Sequence, residues 1–307
     1  MKEKIGCVTI HYDFYTGDDF YNDGPVEDYL LEEVKKYQEP DFDQIIINNP
    51  IWPVYYHLSY LRHNIINWYN FDKEKTALEI GSGCGAITGL ISESCKSVTC
   101  VELSKKRSLI NAYRNIEKNN IDIWVCNFED FVNGSQKKYD YIFLIGVLEY
   151  AEKYIHSTNS QEIFLKRIRQ MLNPGGIVFI AIENKTGMKY WAGCSEDHLG
   201  VPFIGIEDYP DATGIRTFTR KELEELLQRV GFDKATFYYP YPDYKFPYVI
   251  YSDSYLPNEG ELIKNRDNFD QNRLLLFNET FAFDNIIRNN MFPFFSNSYL
   301  LLVEVGD

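Results

Sequence analysis

The stretch that most constrains this 307-residue chain is Thr76 to Ile91, T-A-L-E-I-G-S-G-C-G-A-I-T-G-L-I. Leu78 and Ile80 read as a short buried strand, and Gly81, Gly83 and Gly85 follow it before a helical stretch begins. Glycine reaches positive φ without a Cβ clash and lets backbone N–H groups close on a ligand. A glycine turn between an apolar strand and a helix predicts an α/β sheet with its ligand over the turn. Glu79, two residues before the first glycine, places a carboxylate at the mouth of that turn.

Two ligand classes compete for such a turn. Gly81-x-Gly83-x-x-Ala86 fits the dinucleotide fingerprint, and Glu102 lies about where that fingerprint wants its ribose-binding acid. A dinucleotide sets a pyrophosphate over the turn, which Glu79 would repel by roughly 1 kcal/mol or more. S-adenosylmethionine instead sets an ammonium there, which a carboxylate attracts. Gly85, for which the dinucleotide pattern does not ask, favours the second ligand.

The string L-E-I-G-S-G-C-G resembles the first motif of the class I S-adenosylmethionine-dependent methyltransferases, and later segments follow that family in order from Thr76 to Phe237 and in the final strand. The resemblance implies a Rossmann-like α/β fold, a seven-stranded mostly parallel sheet with an antiparallel last strand. It also implies S-adenosyl-L-methionine as cofactor and S-adenosyl-L-homocysteine as product. The strands after Thr76–Ile80 are expected at Val98–Leu103, Ile121–Cys126, Tyr139–Ile145, Ile177–Ile182, Ala235–Tyr239 and Ser298–Glu304. Around the turn the expected cofactor residues are Glu79, Gly81, Ser82, Gly83 and Gly85, with Glu102 on the ribose hydroxyls and Leu103 beside it. Asn127, Phe128 and Glu129 follow the third strand, where the family holds the adenine; Asn127 stands where Asp is frequent, which leaves Glu129 or Asp130 as substitute acceptors. Gly146 opens G-V-L-E-Y, which resembles the family's G-V-L-E-H with Tyr150 in place of the histidine. Arg62 can meet the cofactor carboxylate or pair with a surface acid.

Around this core, at 76–239 and 297–307, the chain carries three additions. Residues 1–75 form an N-terminal cap. Lys4 to Tyr12 alternates as a strand or hairpin arm, Thr16-Gly-Asp-Asp and Asn22-Asp-Gly-Pro mark turns, and helical spacing predicts one helix from Val26 to about Lys36 and another from Trp52 through Trp68. Thr219-Arg-Lys-Glu222 reads as a capping box for a helix that stops at Gly231. Insertions at 184–218 and 240–296 leave from the strand ends where open parallel sheets bind ligands, so they are expected to cover the substrate site.

Composition narrows the partners. A net charge of −14 and the lack of a basic run argue against nucleic acid. No apolar run reaches 18 residues and the start lacks a signal-peptide core, so no membrane insertion and a cytoplasmic location are expected. Six cysteines without C-x-x-C spacing read as reduced, buried hydrophobes. The 24 Tyr and 21 Phe concentrate outside the nucleotide-type core, as packing or as pocket lining.

Methyl transfer to a hydroxyl gains from a general base, and His198 is the candidate, oriented by Glu196 or Asp197. Glu149 and Glu183, at the ends of strands four and five, are alternatives as base or substrate ligand. Convergence of these groups would instead suit a divalent metal, although none is assigned. Arg216 and Tyr190 are further substrate-binding candidates. With Y-H-L-S-x-L-R before the first strand and K-Y-x-A-G-x-x-E-D-H after the fifth, the pattern resembles a bacterial subgroup found beside glycosyltransferases in surface-polysaccharide clusters. That implies O-methylation of a sugar, glycan or other small acceptor. An NAD(P)-dependent oxidoreductase or a non-catalytic cofactor-binding partner remains the alternative, and the oligomeric state is not legible.

Overall fold

The computed structural model of the chain describes residues 1–17, 23–155, 157, 159–212, 214–266 and 273–305. Residues 18, 19 and 22 of the two expected N-terminal turns lie outside them. The chain divides into two compact units, 1–144 with 170–176, and 145–169 with 177–307.

In the first unit the strands are β1 (Lys2–Ile5), β2 (Val8–His11), β3 (Thr76–Ile80), β4 (Ser97–Glu102), β5 (Ile121–Val125) and β6 (Tyr139–Ile145), in the order β1-β2-β5-β4-β3-β6. All neighbours run parallel except the β1–β2 hairpin. Parallel strands are covered on both faces, which is why Ala77 and Leu78, pointing to opposite sides of β3, are both fully buried. The hairpin turns at Gly6, where φ is +58° and a Cβ would come within 2.4 Å of the Ile116 carbonyl oxygen. Its second arm then lies in register against β5, Ile10 opposite Ile123.

The helix expected from Val26 spans Val26–Lys36. Its Leu30 and Val34 pack with Phe42, Ile45, Val54 and Leu58 onto Cys84 of the glycine turn and Ile110 of the Lys105–Arg114 helix. Two arginines of that helix tie the N-terminal segment down. Arg107 pairs with Glu27 (2.7 Å) and Asp23 (2.8 Å), and Arg114 with Glu39 (2.6 Å). The single helix expected from Trp52 to Trp68 is two pieces. The α-helix Trp52–Leu58 stops at Ser59, whose extended backbone and side chain cap a separate 3-10 turn, Tyr60–Ile65.

In the second unit β7 (Leu172–Glu183, entering from the first unit), β8 (Lys234–Tyr241), β9 (Val249–Ser252) and β10 (Ser298–Glu304) lie in the order β7-β10-β8-β9, each pair antiparallel. Ten strands are described where seven are expected, the additional ones being β1, β2 and β9. β7 begins five residues before the expected Ile177: it starts at Leu172, once the helix Ser160–Gln170 has ended, and takes in Gly175 at φ +68°. The capping box forms as expected. Thr219 accepts from the Glu222 N–H, the Glu222 carboxylate accepts from the Thr219 N–H, and Gly231 closes the Arg220–Val230 helix at φ +85°. The long insertion contributes β9 and the helices Glu279–Arg288 and Phe292–Phe295. Five cysteines are buried, as expected; Cys7, in the hairpin turn, is exposed instead. Among the described residues no helix is long and apolar enough to cross a membrane.

Candidate active site

The glycine turn has the geometry that its sequence requires. Gly81, Gly83 and Gly85 adopt φ of +69°, +52° and +78°. A Cβ on Gly83 would meet nothing within 4 Å, so its side of the turn is bare backbone over open space; one on Gly85 would strike Asn111 Oδ1 at 2.4 Å. Glu102, at the end of β4, is engaged by the same backbone: Oε2 accepts from the Gly83 N–H (2.8 Å) and Oε1 from the Ser104 N–H (2.9 Å). A carboxylate has about four acceptor positions, so Glu102 keeps capacity for a ribose hydroxyl. Burial pushes the Glu102 carboxyl up, against the pull of Arg107 and of the backbone N–H groups.

Glu79 lies beneath the turn, 3% exposed, with Oε2 accepting from the Thr88 hydroxyl at 2.6 Å and from the Cys100 thiol at 3.6 Å. Burial raises it to about 7, with the charge of Glu102 adding to the effect and the two hydrogen bonds opposing it. Among the described residues no cation is hydrogen-bonded to this carboxylate, and Arg114 acts on it only at a distance; an ammonium would supply a partner and a pyrophosphate cannot. Ser82 is buried within the turn and Leu103 is partly buried after β4. Arg62, on the 3-10 turn, donates to the Tyr56 hydroxyl (3.2 Å) with its guanidinium 4.3 Å from the centre of that ring. Asn127 turns its carbonyl oxygen inward to cap the Phe128–Gly134 helix by accepting from the Glu129 N–H at 3.0 Å. Its role on an adenine amino group would compete with that cap; Phe128 is buried and Glu129 half-buried beside it.

The second unit brings the three acid–base candidates together. One ligand atom from each of Glu149, Glu183 and His198 lies within 4.8 Å of the others. Gly146 (φ +71°) turns the chain out of β6, and a Cβ there would sit 2.7 Å from the Tyr244 hydroxyl and 3.6 Å from Glu149 Oε1. Glu149, on the turn Leu148–Tyr150, is fully buried, and neither of its oxygens is hydrogen-bonded to another described residue. Burial, then the charge of Glu183, pushes it up to about 8. Glu183 ends β7 with Oε1 on Lys245 Nζ (2.6 Å) and Oε2 3.3 Å from His198 Nε2. Burial would raise it, but Lys245 and His198 hold it well below the usual carboxylate range. His198 shows the reverse: burial would lower it, but Glu183 opposite keeps the imidazole charged to about 9. Tyr150, standing where the resembled family has histidine, puts its hydroxyl 2.8 Å from His198 Nδ1.

The partner of the His198 ring therefore departs from expectation. Glu196 accepts the backbone N–H groups of His198 (2.9 Å) and Leu199 (2.7 Å), and Asp197 bridges Lys189 (2.6 Å) and Lys245 (2.7 Å). Lys189 also meets Asp243 at 2.7 Å. Lys189, Asp243 and Lys245 are buried charges that sequence reasoning did not single out, and a lysine facing an acid 62 positions away leaves no local spacing to read. Arg216 is drawn instead to Asp208 (2.7 Å), while Tyr190 is buried near the cluster with burial, then Asp197, raising its hydroxyl.

A family model described as "Methyltransferase domain" matches residues 57–236, more than half of the chain. Among curated proteins the chain is similar to the mitochondrial ubiquinone biosynthesis O-methyltransferase of Rattus norvegicus, 24% identical over 165 residues, 52% of this chain and 44% of that protein. It thus spans less than half the length of that relative. Among solved structures it is similar to phosphoethanolamine N-methyltransferase 1 of Haemonchus contortus, crystallised with phosphoethanolamine and S-adenosylhomocysteine. That likeness has a TM-score of 0.50 and 14% identity over 94% of this chain and 52% of that one, and it shows the fold. A methyltransferase from Archaeoglobus fulgidus, 11% identical, aligns over 81% of this chain and 93% of its own with a TM-score of 0.49.

Proposed function

From a chain that belongs to the class I S-adenosylmethionine-dependent methyltransferase family, we infer transfer of a methyl group from S-adenosylmethionine to a hydroxyl of a small acceptor, a sugar or glycan by preference. The observation that carries the cofactor half is Glu79, a buried carboxylate with no cation hydrogen-bonded to it among the described residues, under a bare glycine turn. In this reading Glu79 takes the cofactor ammonium, Arg62 its carboxylate, the N–H groups of the turn its backbone end and Glu102 its ribose. The cofactor supplies an activated methyl on a sulfonium, so the protein's task is alignment and exclusion of water.

A hydroxyl acceptor must also lose its proton, and in the Glu149–Glu183–His198 cluster Glu183 is the member held charged, while His198 is free to accept a proton only above about 9, so the cluster acts through these groups or through a bound ion. Oxygen as the methylated atom is supported by this acid–base chemistry and by the similarity to an O-methyltransferase. The sugar or glycan class is supported by the segments Tyr56-His-Leu-Ser-Tyr-Leu-Arg62 and Lys189-Tyr-Trp-Ala-Gly-Cys-Ser-Glu-Asp-His198, which resemble the polysaccharide-associated subgroup. A glycosyltransferase acting before or after it would be the natural neighbour.

The test uses S-adenosylmethionine with a labelled methyl, the purified chain, and a panel of free sugars, nucleotide sugars and oligosaccharides, reading label transfer and S-adenosylhomocysteine release. Tight NAD binding with no binding of S-adenosylmethionine overturns the assignment. Cofactor binding without turnover on any hydroxyl acceptor leaves a non-catalytic partner protein. His198→Ala should abolish turnover and spare cofactor affinity; equal loss of both removes His198 from the chemistry.

A further inference from the structure

We propose that Glu149, Glu183 and His198 form a binding site for one divalent transition-metal ion, of the Mn²⁺ or Zn²⁺ class. The first ground is spacing. His198 Nε2 and Glu183 Oε2 are 3.3 Å apart, beyond the ~2.7–2.9 Å of a charge-assisted hydrogen bond. Metal–nitrogen and metal–oxygen bonds of about 2.1 Å set adjacent ligands roughly 3.0–3.4 Å apart in octahedral or tetrahedral geometry. The Glu149 oxygen lies within 4.8 Å of both, so a small side-chain adjustment would bring all three ligands onto one ion.

The second ground is Glu149 itself. It is fully buried, offers two oxygens to the cluster and receives no hydrogen bond from any other described residue. A buried carboxylate left without donors is costly, and a cation at its oxygens removes the cost. Charge gives the third ground. Glu149, Glu183, Glu196, Asp197 and Asp243 bring five carboxylates against the two ammonium groups of Lys189 and Lys245. A divalent ion reduces that excess.

The outer contacts suit metal ligation as well. The Tyr150 hydroxyl at 2.8 Å fixes the orientation of His198 through Nδ1 and leaves Nε2 for the ion, while Lys245 holds the other oxygen of Glu183. Imidazole with two carboxylates suits Mn²⁺, Fe²⁺ or Zn²⁺ more than Mg²⁺, which favours oxygen alone. On the methyl-transfer reading, on which this role rests, the ion would hold the acceptor hydroxyl and lower its pKa.

The site is tested without turnover. Full-length protein stripped with chelator is titrated with MnCl₂ and, separately, ZnCl₂ by calorimetry, and Mn²⁺ is followed by electron paramagnetic resonance. The expected result is one saturable ion per chain, weakened at least tenfold in Glu149→Gln and in Tyr150→Phe, each checked for unchanged melting without metal. Tyr150→Phe keeps all three ligands, so it tests the site even where Glu149→Gln fails to fold. Weak binding at many sites, or a single site that neither variant changes, overturns the proposal. S-adenosylmethionine titration of the same samples reports separately on the cofactor reading, so one can fail without the other.

Discussion

Glu79→Gln should make the cofactor-free protein more stable and the cofactor-bound protein harder to form, and only at neutral to alkaline pH. Burial lifts the Glu79 carboxyl from its ordinary 4.5 to about 7. A folded-state value above the unfolded one means that the protonated form stabilises the fold. This contribution is complete below about 4.5 and is lost as pH rises through about 7. At 1.36 kcal/mol per pH unit the charged carboxylate costs the folded state roughly 3 kcal/mol once it is fully ionised. Glutamine keeps an oxygen for Thr88 and carries no charge, so it removes that cost. Unfolding free energies measured without cofactor should therefore nearly coincide for variant and wild type at about pH 4 and separate by up to about 3 kcal/mol at pH 8.5, the variant being the more stable. Calorimetry at pH 8.5 should show the opposite order for S-adenosylmethionine, with affinity lowered by about 10²-fold through the lost ion pair. In the wild type the affinity should rise with pH through about 7, as Glu79 acquires its charge. 5′-Methylthioadenosine, which lacks the amino-acid end, should bind both proteins alike. A stability difference that is equal at the two pH values, or unaltered S-adenosylmethionine affinity in Glu79→Gln, would refute the reasoning.

Gly85→Ala sets a Cβ 2.4 Å from Asn111 Oδ1 at φ +78°, and should cost ~1–3 kcal/mol in a melt while weakening cofactor binding; an unchanged melt would show that Asn111 moves freely. Thr219→Ala removes one half of the capping box and should lower stability by about 1 kcal/mol, recovered by Thr219→Ser. Lys189→Met leaves Asp197 and Asp243 with one cation fewer and should destabilise by roughly 3–5 kcal/mol in chemical denaturation, with a loss below 1 kcal/mol counting against a buried pair. Arg62→Ala should weaken S-adenosylmethionine at least tenfold and leave 5′-methylthioadenosine unaffected; equal weakening of both would place Arg62 in the fold and not on the cofactor carboxylate.

What could be read from the chain was what neighbours in sequence decide. The turn at Gly81–Gly85, the Thr219 capping box and β6 at Tyr139–Ile145 are local patterns, and each stands where it was expected. The helix through Trp52–Trp68 failed as a single element because apolar spacing does not reveal that Ser59 will leave helical geometry and cap the next turn. The catalytic candidates could be named one at a time from strand ends and a histidine, but their arrangement depends on pairings across the fold. Glu183 meets Lys245 through the long insertion, and Asp197 turns to two lysines instead of to its neighbour His198. No spacing rule connects such positions, since only the folded second unit brings them together.

β10 is held on both sides, with Leu300 opposite Ala181 of β7 and Tyr238 of β8. Its insertion between them means that a nascent chain must keep two open hydrogen-bonding edges apart until residue 304 has emerged. Until then those edges can join each other or a neighbouring chain, so aggregation during synthesis should be governed by how fast the segment after β8 is delivered.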